Sequence, residues 1–208
     1  LNLGNQVLTG IFPKSKNEKI TNGPLEVVWC PDSGLLQLKH SYDLSEMYGE
    51  NYGYKSGLNI SMVEHLKQKI FQLERLYSIS SGDLVIDIGS NDATLLKSYT
   101  TKGLKRIGID PVGNKFKKFY TDGLELIPDF FSKDIFNKKY GKAKAKIITS
   151  IAMFYDLENP KKFILDILEV LDKNGIWHFE QSYMPTMLRM NSYDTICHEH
   201  LEYYSLLN

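Results

Sequence analysis

The stretch LVIDIGSNDATLL (84–96) joins an apolar run, a glycine-containing turn and a second apolar run. Its opening LVIDI (84–88) is almost wholly apolar, which is typical of a strand buried on both faces of a parallel sheet. Gly89 allows a tight turn and the close approach of a ligand to the backbone. A helix is expected to begin near Asp92. The stretch therefore predicts the strand, turn and helix of an α/β fold.

Four more segments on the C-terminal side have the composition of strands. A helix is predicted from Pro160 to Leu171, followed by a turn at Lys173–Gly175. Apolar strands that alternate with helices predict an α/β fold with a doubly wound, mostly parallel sheet. The four strands are expected at KRIGIDP (105–111), LELIPDF (124–130), AKIITSIAM (145–153) and GIWHFEQ (175–181).

An amphipathic helix is predicted before the glycine turn, over NISMVEHLKQKIFQLERLYS (59–78). Asn59 or Ser61 would cap its first turn by accepting a hydrogen bond from a free backbone N–H group. Apolar residues recur at helical spacing, which places them on one face toward a core. That face consists of Met62, Leu66, Ile70, Leu73 and Leu76.

The N-terminal segment differs in composition from the rest, since residues 1–40 are rich in Gly, Asn and Pro. Its apolar runs LEVVW (25–29) and GLLQL (34–38) predict short strands joined by turns. We therefore expect two domains, a small β-rich segment at 1–45 and the α/β domain at 46–208.

Composition and charge argue against several classes of protein. The 25 Lys and Arg residues balance 25 Asp and Glu residues, which disfavours nucleic acid and anionic membranes as partners. No apolar run reaches the roughly 20 residues of a membrane-spanning helix, and LNLGNQVLTG (1–10) lacks the pattern of a signal peptide. Cys30 and Cys197 are far apart and predict free thiols. We expect a cytoplasmic protein, monomeric or weakly dimeric.

The glycine turn is the expected ligand site, because parallel sheets bind ligands beyond the carboxyl ends of their strands. With the single glycine Gly89, the turn lacks the G-x-G-x-x-G pattern of dinucleotide folds. Asp87 and Asp92 disfavour a diphosphate and suit a ligand with a cationic, amino-acid-like end. Asp110 ends the next strand, where a carboxylate can accept hydrogen bonds from ribose hydroxyls. The pattern favours S-adenosylmethionine; alternatively, these acids are turn, cap and strand-end residues.

Four separated motifs lie along the chain: MYGENYGYKSGLN (47–59), VIDIGSNDATLL (85–96), GIDP (108–111) and DTICHEHLEYYS (194–205). Together they resemble the sugar C-methyltransferases, which methylate nucleotide-linked deoxy-ketosugars. The motifs occur in the family's order and cover nearly the whole chain. The resemblance implies a Rossmann-like class I methyltransferase that uses S-adenosylmethionine, with a small N-terminal zinc-binding module and a further C-terminal domain.

The chain departs from the family pattern at several positions. Family members usually carry two C-x-x-C pairs, whereas this chain begins after the place of the first and has CPDS, Cys30 to Ser33, at the second. One thiolate cannot complete a four-ligand zinc site, so no bound zinc is expected. Ala93 replaces the glycine that follows SND, and Cys197 replaces the tyrosine before HEH. The chain ends at Asn208, so the family's C-terminal domain is expected to be absent.

The HEH sequence, His198 to His200, has three interpretations. A metal site is disfavoured, because zincin helices space their histidines by four positions and HEH spaces them by two. A second interpretation is a polar cluster in which one histidine bonds to the backbone. The third is a general base, since a neutral imidazole with a pKa of about 6.5 suits the removal of a proton next to a ketone. A neighbouring carboxylate could fix its tautomer.

The resemblance assigns roles within HEH. His200 is implied to be the base, Glu199 to assist it, and His198 to shape the site or contact the substrate. Three nearby tyrosines are expected to close over cofactor and sugar, the alternative being simple packing of rings over the sheet edge. The candidate catalytic residues are His198, Glu199, His200, Tyr48, Tyr52 and Tyr54, and no metal ligand is assigned.

Two further aromatic pairs follow strands. Phe154 and Tyr155 could shield a sulfonium, whose charge an aromatic face attracts, or could belong to the core. Phe130 and Phe131 are candidates to enclose the adenine. The candidate cofactor-binding residues are Asp87, Gly89, Ser90, Asn91, Asp92, Asp110, Pro111, Phe130, Phe131 and Ile151.

The leading hypothesis is methyl transfer from S-adenosylmethionine to a carbon of a nucleotide-linked 4-keto-deoxysugar, by base-assisted enolisation. The expected partner is this small-molecule sugar nucleotide. One alternative is an O- or N-methyltransferase, in which His200 would deprotonate a hydroxyl. Another is a non-catalytic domain that binds S-adenosylmethionine.

Overall fold

The computed structural model describes residues 1–49 and 52–208, in two compact units. Unit 1 consists of Leu1–Tyr54, Ala152–Glu158 and Glu180–Asn208, and unit 2 consists of Lys55–Ile151 and Asn159–Phe179. The expected division into 1–45 and 46–208 differs from these units, because the C-terminal segment clusters with the N-terminal one. Two residues of the MYGENYGYKSGLN motif, Glu50 and Asn51, lie outside the described residues.

The strands form two sheets. In unit 1 the order is β1-β2-β3-β9, and in unit 2 it is β6-β5-β4-β7-β8. In chain order the strands are β1 (Asn2–Val7), β2 (Asn22–Trp29), β3 (Leu36–Leu38), β4 (Leu84–Ile88), β5 (Lys105–Ile109), β6 (Glu125–Ile127), β7 (Ala145–Ile151), β8 (Leu171–Glu180) and β9 (Glu202–Tyr203).

Helices accompany both sheets, together with single turns of 3-10 helix at Ser56–Leu58, Lys117–Phe119, Phe154–Asp156 and Tyr193–Thr195. None of the helices in the described ranges is long and apolar enough to cross a membrane. The α-helices are α1 (Leu44–Met47), α2 (Ile60–Leu76), α3 (Thr94–Lys97), α4 (Gly113–Phe116), α5 (Lys133–Tyr140), α6 (Pro160–Val170) and α7 (Met184–Met190).

The sheet of unit 2 has the predicted parallel core. β4 pairs in parallel with β5 and β7, and β5 pairs in parallel with β6. All five residues of β4 are buried, as its apolar run predicted. Asn59 caps α2 by accepting a hydrogen bond from the Ser61 N–H group, and the helix packs Leu66, Ile70 and Leu73 into the core. The predicted α/β architecture is therefore confirmed.

Unit 1 contains a small antiparallel sheet, as its short apolar runs predicted. β2 pairs with β1 and β3, and β3 pairs with β9 near the C-terminus. Buried and less buried residues alternate along β2, which is the pattern of a strand with one face toward a core. That core consists of Leu25, Val27, Leu38, Met187, Leu201 and Tyr203.

Three expectations about element boundaries were wrong. The helix after the glycine turn begins at Thr94 and has a single turn, because Ala93 has a left-handed φ of 61°. Residues 173–175 are not a separate turn, since β8 already begins at Leu171. Leu76 is 74% exposed because it is the last residue of α2 and extends beyond the buried face.

Candidate active site

The turn after β4 adopts a backbone that few residues tolerate. Gly89 has a φ of 72°, and the N–H group of this residue donates to the Ile109 carbonyl at 2.9 Å. Asn91 and Ala93 also have left-handed φ values, of 48° and 61°. Glycine adopts such values freely, asparagine tolerates them, and alanine does so at a cost. The backbone of the loop therefore does not continue directly from strand into helix.

Asp110 clamps this loop to the end of β5. The Asn91 N–H donates to Oδ2 of Asp110 at 2.7 Å, and the Val112 N–H donates to Oδ1 at 2.8 Å. Burial raises the pKa of Asp110, and the two N–H donors oppose that rise. Each carboxylate oxygen has two acceptor positions. The side chain can therefore hold the loop and still accept bonds from a ligand's hydroxyl groups.

Tyr120 supports the same loop from outside the predicted motif. The Tyr120 hydroxyl donates to the Asn91 carbonyl at 3.0 Å and lies 2.7 Å from the Ser90 hydroxyl oxygen. Gly108 leaves room for this contact, because a Cβ there would lie 2.5 Å from Ser90 Oγ and 2.7 Å from the Tyr120 ring. Ser90 is thus held by a tyrosine that no sequence motif indicated.

The side chains of Asn91 and Asp92 bind protein backbone. Asn91 Oδ1 accepts a hydrogen bond from the Ser56 N–H at 3.1 Å, and Asp92 Oδ2 accepts one from the Gly57 N–H at 3.0 Å. The Thr94 hydroxyl donates to the other oxygen of Asp92 at 2.6 Å. Both residues are nearly buried, at 5% and 3% exposure. They shape the loop by fixing the short helix Ser56–Leu58 against it.

Asp87 is buried in β4 beside Thr149. The Thr149 hydroxyl oxygen lies 2.6 Å from Asp87 Oδ1 and 3.2 Å from the Ile86 carbonyl oxygen. A hydroxyl donates one proton, so an ionised Asp87 would compete with Ile86 for it. A neutral Asp87 satisfies both contacts, because the acid then donates to Thr149 and Thr149 donates to Ile86. In agreement, burial raises the pKa of Asp87 to about 7, with a smaller contribution from Asp110 and an opposing one from Thr149.

The remaining cofactor candidates of unit 2 differ in accessibility. Phe130 is 44% exposed, whereas the Phe131 ring packs edge-on against Phe163 with centroids 5.4 Å apart. Pro111 is partly exposed, and Ile151 packs against the core at the end of β7. Of the two phenylalanines, Phe130 has the more exposed ring.

The chemistry of this loop suits a cationic nucleoside. Asp87 and Asp110 are each 4% exposed, and neither forms an ion pair with a basic side chain among the residues described in unit 2. The loop therefore presents buried acidic side chains, and the strand-end acid Asp110 can still accept hydrogen bonds. The residues present therefore fit S-adenosylmethionine, whose sulfonium and ammonium groups are positive and whose ribose hydroxyls are donors.

HEH lies in a turn of unit 1, and in neither a helix nor a strand. His198 is fully buried at 0% exposure, with Nε2 3.4 Å from the Gly23 carbonyl and its ring edge-on to Tyr42. The backbone N–H group of His198 donates to the Thr9 hydroxyl at 3.1 Å. These contacts tie the turn to the N-terminal sheet. They favour a structural role for His198 over contact with a substrate.

The geometry of His200 defines its tautomer. Nδ1 lies 2.7 Å from the Thr195 carbonyl oxygen. A carbonyl only accepts, so Nδ1 carries the proton and a neutral ring leaves the Nε2 lone pair available. Burial lowers the pKa of His200, while the bond to Thr195 opposes this. A backbone carbonyl, and not the expected carboxylate, fixes the ring.

The Glu199 carboxylate lies over Gly10. It also affects the pKa of Asp156, an acid that the sequence analysis did not select. A Cβ on Gly10 would lie 2.2 Å from Glu199 Oε1, so the carboxylate lies directly over this glycine. Burial raises the pKa of Glu199.

The Tyr48 hydroxyl donates to Asp156 Oδ2 at 3.0 Å. Burial raises the pKa of Asp156 well above its ordinary value, Glu199 adds to the rise, and the bond from Tyr48 opposes it.

The aromatic residues of unit 1 surround these groups. Tyr155 is 8% exposed, and its ring centroid is 4.4 Å from that of His200. Tyr52 packs against Tyr48 with centroids 5.5 Å apart, whereas Tyr54 is 49% exposed. Phe154 packs on Tyr204. We call the following set the acid–tyrosine cluster: Tyr48, Tyr155, Asp156, Glu199 and His200.

The CPDS segment does not fit a zinc site. Cys30 is a free thiol, and Ser33 stands where a second thiolate would be needed. The Gly34 N–H donates to the Cys30 carbonyl, and the Leu35 N–H donates to the Ser33 hydroxyl. Hydrogen bonds therefore close this turn. The described residues contain no group of three or more side chains that could hold a metal ion.

Comparison with protein families identifies the chain. Residues 62–208 match a family model described as "Methyltransferase domain", and residues 1–48 match one described as "Putative zinc binding domain". The chain belongs to the methyltransferase family. This family depends on S-adenosylmethionine, as the glycine turn and Asp110 had indicated. The second match covers the segment in which Cys30 lacks a cysteine partner.

A curated relative is the C-methyltransferase NovU of Streptomyces niveus, which is 26% identical over 186 residues. The match covers 88% of this chain and 44% of NovU. This methyltransferase chain thus spans less than half the length of its curated relative.

Solved structures share the fold at low identity. One is a complex of the Haloferax volcanii Trm112 methyltransferase activator with a methyltransferase, with a TM-score of 0.51, 17% identity, and coverage of 70% of this chain and 67% of that one. Another is the plantazolicin methyltransferase BpumL with a triazolic desmethylPZN analogue and SAH, with a TM-score of 0.51, 16% identity, and coverage of 66% and 54%. The fold is that of class I methyltransferases.

Several residues of both sites were missed by sequence reasoning. Tyr120, Thr149 and Asp156 contact predicted residues through side chains, and Thr195 does so through its carbonyl. Only Asp156 had a local signal in the sequence, as an acid that soon follows the strand predicted at 145–153. The others are recognisable only once their partners are placed.

Proposed function

We propose that this chain transfers a methyl group from S-adenosylmethionine to a carbon beside the keto group of a nucleotide-linked deoxysugar. The observation that carries the proposal is the tautomer of His200, whose Nδ1 faces the Thr195 carbonyl at 2.7 Å. Its Nε2 lone pair suits the removal of a weakly acidic C–H proton. The likeness to NovU, a C-methyltransferase, supports carbon as the acceptor.

The cluster favours histidine over tyrosine as the base. Burial raises the pKa of Tyr48, and the charges of Asp156 and Glu199 raise it further. Burial likewise raises the pKa of Tyr155. Both phenols therefore keep their protons near pH 7 and act as hydrogen-bond donors. Burial lowers the pKa of His200, which favours the neutral imidazole.

The proposed cofactor residues are those of the glycine turn with Asp110, Pro111, Phe130, Phe131 and Ile151. S-adenosylmethionine supplies an electrophilic methyl group. Asp110 would accept bonds from the ribose while it holds the Asn91 N–H. Asp87 would face positive charge from a buried position. Asn91 and Asp92 would act through the loop backbone, since their side chains bind Ser56 and Gly57.

The proposed reaction has two steps. His200 Nε2 takes a proton from the carbon next to the ketone, and the C–H electrons form a C=C bond as the carbonyl electrons move to oxygen. The enolate carbon then forms a bond to the methyl group, and the electrons of the broken C–S bond remain on sulfur. Tyr52 and Tyr54 are proposed to contact the sugar nucleotide, and Glu199 to add negative charge that favours the imidazolium form of His200.

The test of the base is deuterium wash-in. A nucleoside diphosphate 4-keto-deoxysugar in D₂O, without methyl donor, should exchange its proton next to the ketone in the presence of wild-type protein. His200→Asn should lose this exchange and keep its affinity for S-adenosylhomocysteine. His40→Asn, which changes an imidazole with 40% side-chain exposure in the same unit, should keep both. Exchange that persists in His200→Asn rejects histidine as the base.

The cofactor site has a separate test. Asp110→Ala should weaken S-adenosylhomocysteine binding by roughly tenfold or more, because it removes a charged acceptor and loosens the loop. The control Asp134→Ala removes an exposed acid of the same unit and should bind normally. Methylation of a hydroxyl without carbon exchange would instead indicate an O-methyltransferase. Cofactor binding without either reaction would indicate a binding domain.

A further inference from the structure

The two carboxyl oxygens of Asp156 differ in their surroundings. Oδ2 accepts a hydrogen bond from the Tyr48 hydroxyl at 3.0 Å. Oδ1 is closed to water and has no hydrogen-bond partner in the described part of the chain. An ionised carboxylate in this state would lose most of its solvation at Oδ1, which is costly. The arrangement suits a neutral acid that can donate its proton in a hydrogen bond to an acceptor.

The position of the acid proton follows from the Tyr48 contact. Tyr48 already donates into Oδ2, so that oxygen acts as an acceptor and the acid's own proton belongs on Oδ1. A second acid is close by, since burial raises the pKa of Asp156 and Glu199 raises it further. No basic side chain forms an ion pair with Asp156 among the described residues. An acidic neighbour without a compensating cation also favours the neutral form.

Within unit 1 the acid follows directly on a tyrosine whose ring contacts the proposed base. Tyr155 directly precedes Asp156, and its ring centroid is 4.4 Å from that of His200. The short helix Phe154–Asp156 holds both residues. Enolisation requires a base at carbon and a donor at the carbonyl oxygen, where negative charge develops. The acid–tyrosine cluster contains one candidate for each role.

We propose that Asp156 is a neutral carboxylic acid that donates a hydrogen bond from Oδ1 to the carbonyl oxygen of the ketone that His200 deprotonates. This inference rests on the proposed function. As the C–H electrons form the C=C bond, the carbonyl π electrons move to oxygen, which the Asp156 O–H group stabilises. When the enolate carbon forms its bond to methyl, those electrons return to the C=O bond and Asp156 keeps its proton. Tyr48 holds the acid in place through Oδ2.

The protonation state can be measured without substrate. In protein with ¹³C-labelled aspartate carboxyls at pH 7, Asp156 should give the infrared C=O stretch of a neutral acid, and Asp156→Asn should remove that band. Asp87→Asn is the necessary control, because Asp87 also has a raised pKa, of about 7. A carboxylate band that disappears in Asp156→Asn would overturn the proposal whatever the reaction is.

The donor role is tested by two substitutions at one position. Asp156→Ala should lower kcat for methylation and the rate of proton exchange by about 10²–10³-fold, the effect of removing one donor to an oxyanion. Asp156→Asn presents an amide N–H in place of the acid proton and should stay within about tenfold of wild type. If Asn is as damaging as Ala, a carboxylate is required and the donor role is rejected. If Ala matches wild type, Asp156 has no role at the oxygen.

Two further readouts separate the possible failures. Tyr48→Phe should slow the exchange reaction, because Asp156 loses the bond that holds it in place, and should shift its pH dependence, because that bond lowers the pKa of Asp156. Binding of S-adenosylhomocysteine to each variant checks that it is folded. If the wild-type protein shows no exchange with the ketosugar, the proposed function fails. The donor assignment then fails as well, even if the infrared spectrum shows a neutral Asp156, because the acid has no ketone oxygen to donate to.

Discussion

Asp87→Asn should remove a large part of the pH dependence of this protein's stability. Asp87 is 4% exposed at the centre of the parallel sheet, and burial raises its pKa to about 7. In the unfolded chain the same acid ionises at its ordinary pKa of 3.8. The unfolded state therefore releases this proton first as the pH rises, while the folded state retains it.

The sign and the size follow from that difference. Below pH 3.8 Asp87 is protonated in both states, and its contribution to stability is fully present. Between 3.8 and about 7 only the unfolded state ionises, so stability falls. Each pKa unit corresponds to 1.36 kcal/mol, so the loss attributable to Asp87 is about 4 kcal/mol by pH 7. Asparagine cannot ionise, and its amide can still donate to Thr149.

The assay is urea denaturation of wild type and Asp87→Asn at several values between pH 4 and 8. The difference between their free energies of unfolding should change by a few kcal/mol across this range, with the variant gaining relative to wild type as the pH rises. Asp156 and Glu199 also have raised pKa values, but they are present in both proteins and cancel. A difference that is independent of pH would refute the neutral form of Asp87.

Three other outcomes follow from the structure. Ala93→Gly should change the free energy of unfolding by less than about 1 kcal/mol, because relief of the left-handed strain is offset by the greater entropy of glycine in the unfolded chain. Ala93→Val places a β-branched side chain at a φ of 61°, so urea denaturation should show a free energy of unfolding lower by more than about 2 kcal/mol. Tyr120→Phe removes a donor to Asn91 and should weaken S-adenosylhomocysteine binding about fivefold by calorimetry. Elemental analysis should find no stoichiometric zinc; zinc at one per chain would show that ligands besides Cys30 complete a site.

The parallel sheet was predictable because its signal is local. The strands β4, β5 and β7 are five to seven residues long and each contains consecutive apolar residues, which is the composition expected of strands buried on both faces. The helix after the turn was misjudged for a local reason as well. Ala93 has a left-handed backbone, so the helical conformation begins only after it, at Thr94. Alanine does not predict a left-handed conformation, whereas the family's glycine would have indicated one.

The candidate sites were predictable only in part, because residue type indicates chemistry while orientation depends on contacts distant in sequence. HEH suggested a base, yet its two histidines differ in role through partners outside the motif. His198 is buried against Gly23, and His200 bonds to the Thr195 carbonyl. A carbonyl has no sequence signal, since every residue has one. The choice between the two imidazoles therefore came from the resemblance, and it stays a prediction.

Asp156 marks the limit of sequence reasoning most clearly. In the segment FYDLENP (154–160) it is one acid among two, after a strand, and its neighbours suggested an aromatic shield. Its significance depends on Tyr48, which is 108 residues away in the chain and donates to one oxygen. The other oxygen is left buried without a partner in the described residues. An unsatisfied buried atom is a property of the folded chain alone. The cost of leaving it unsatisfied can be recovered if a ligand brings the missing acceptor, and a substrate carbonyl would do so at the moment when charge develops on it.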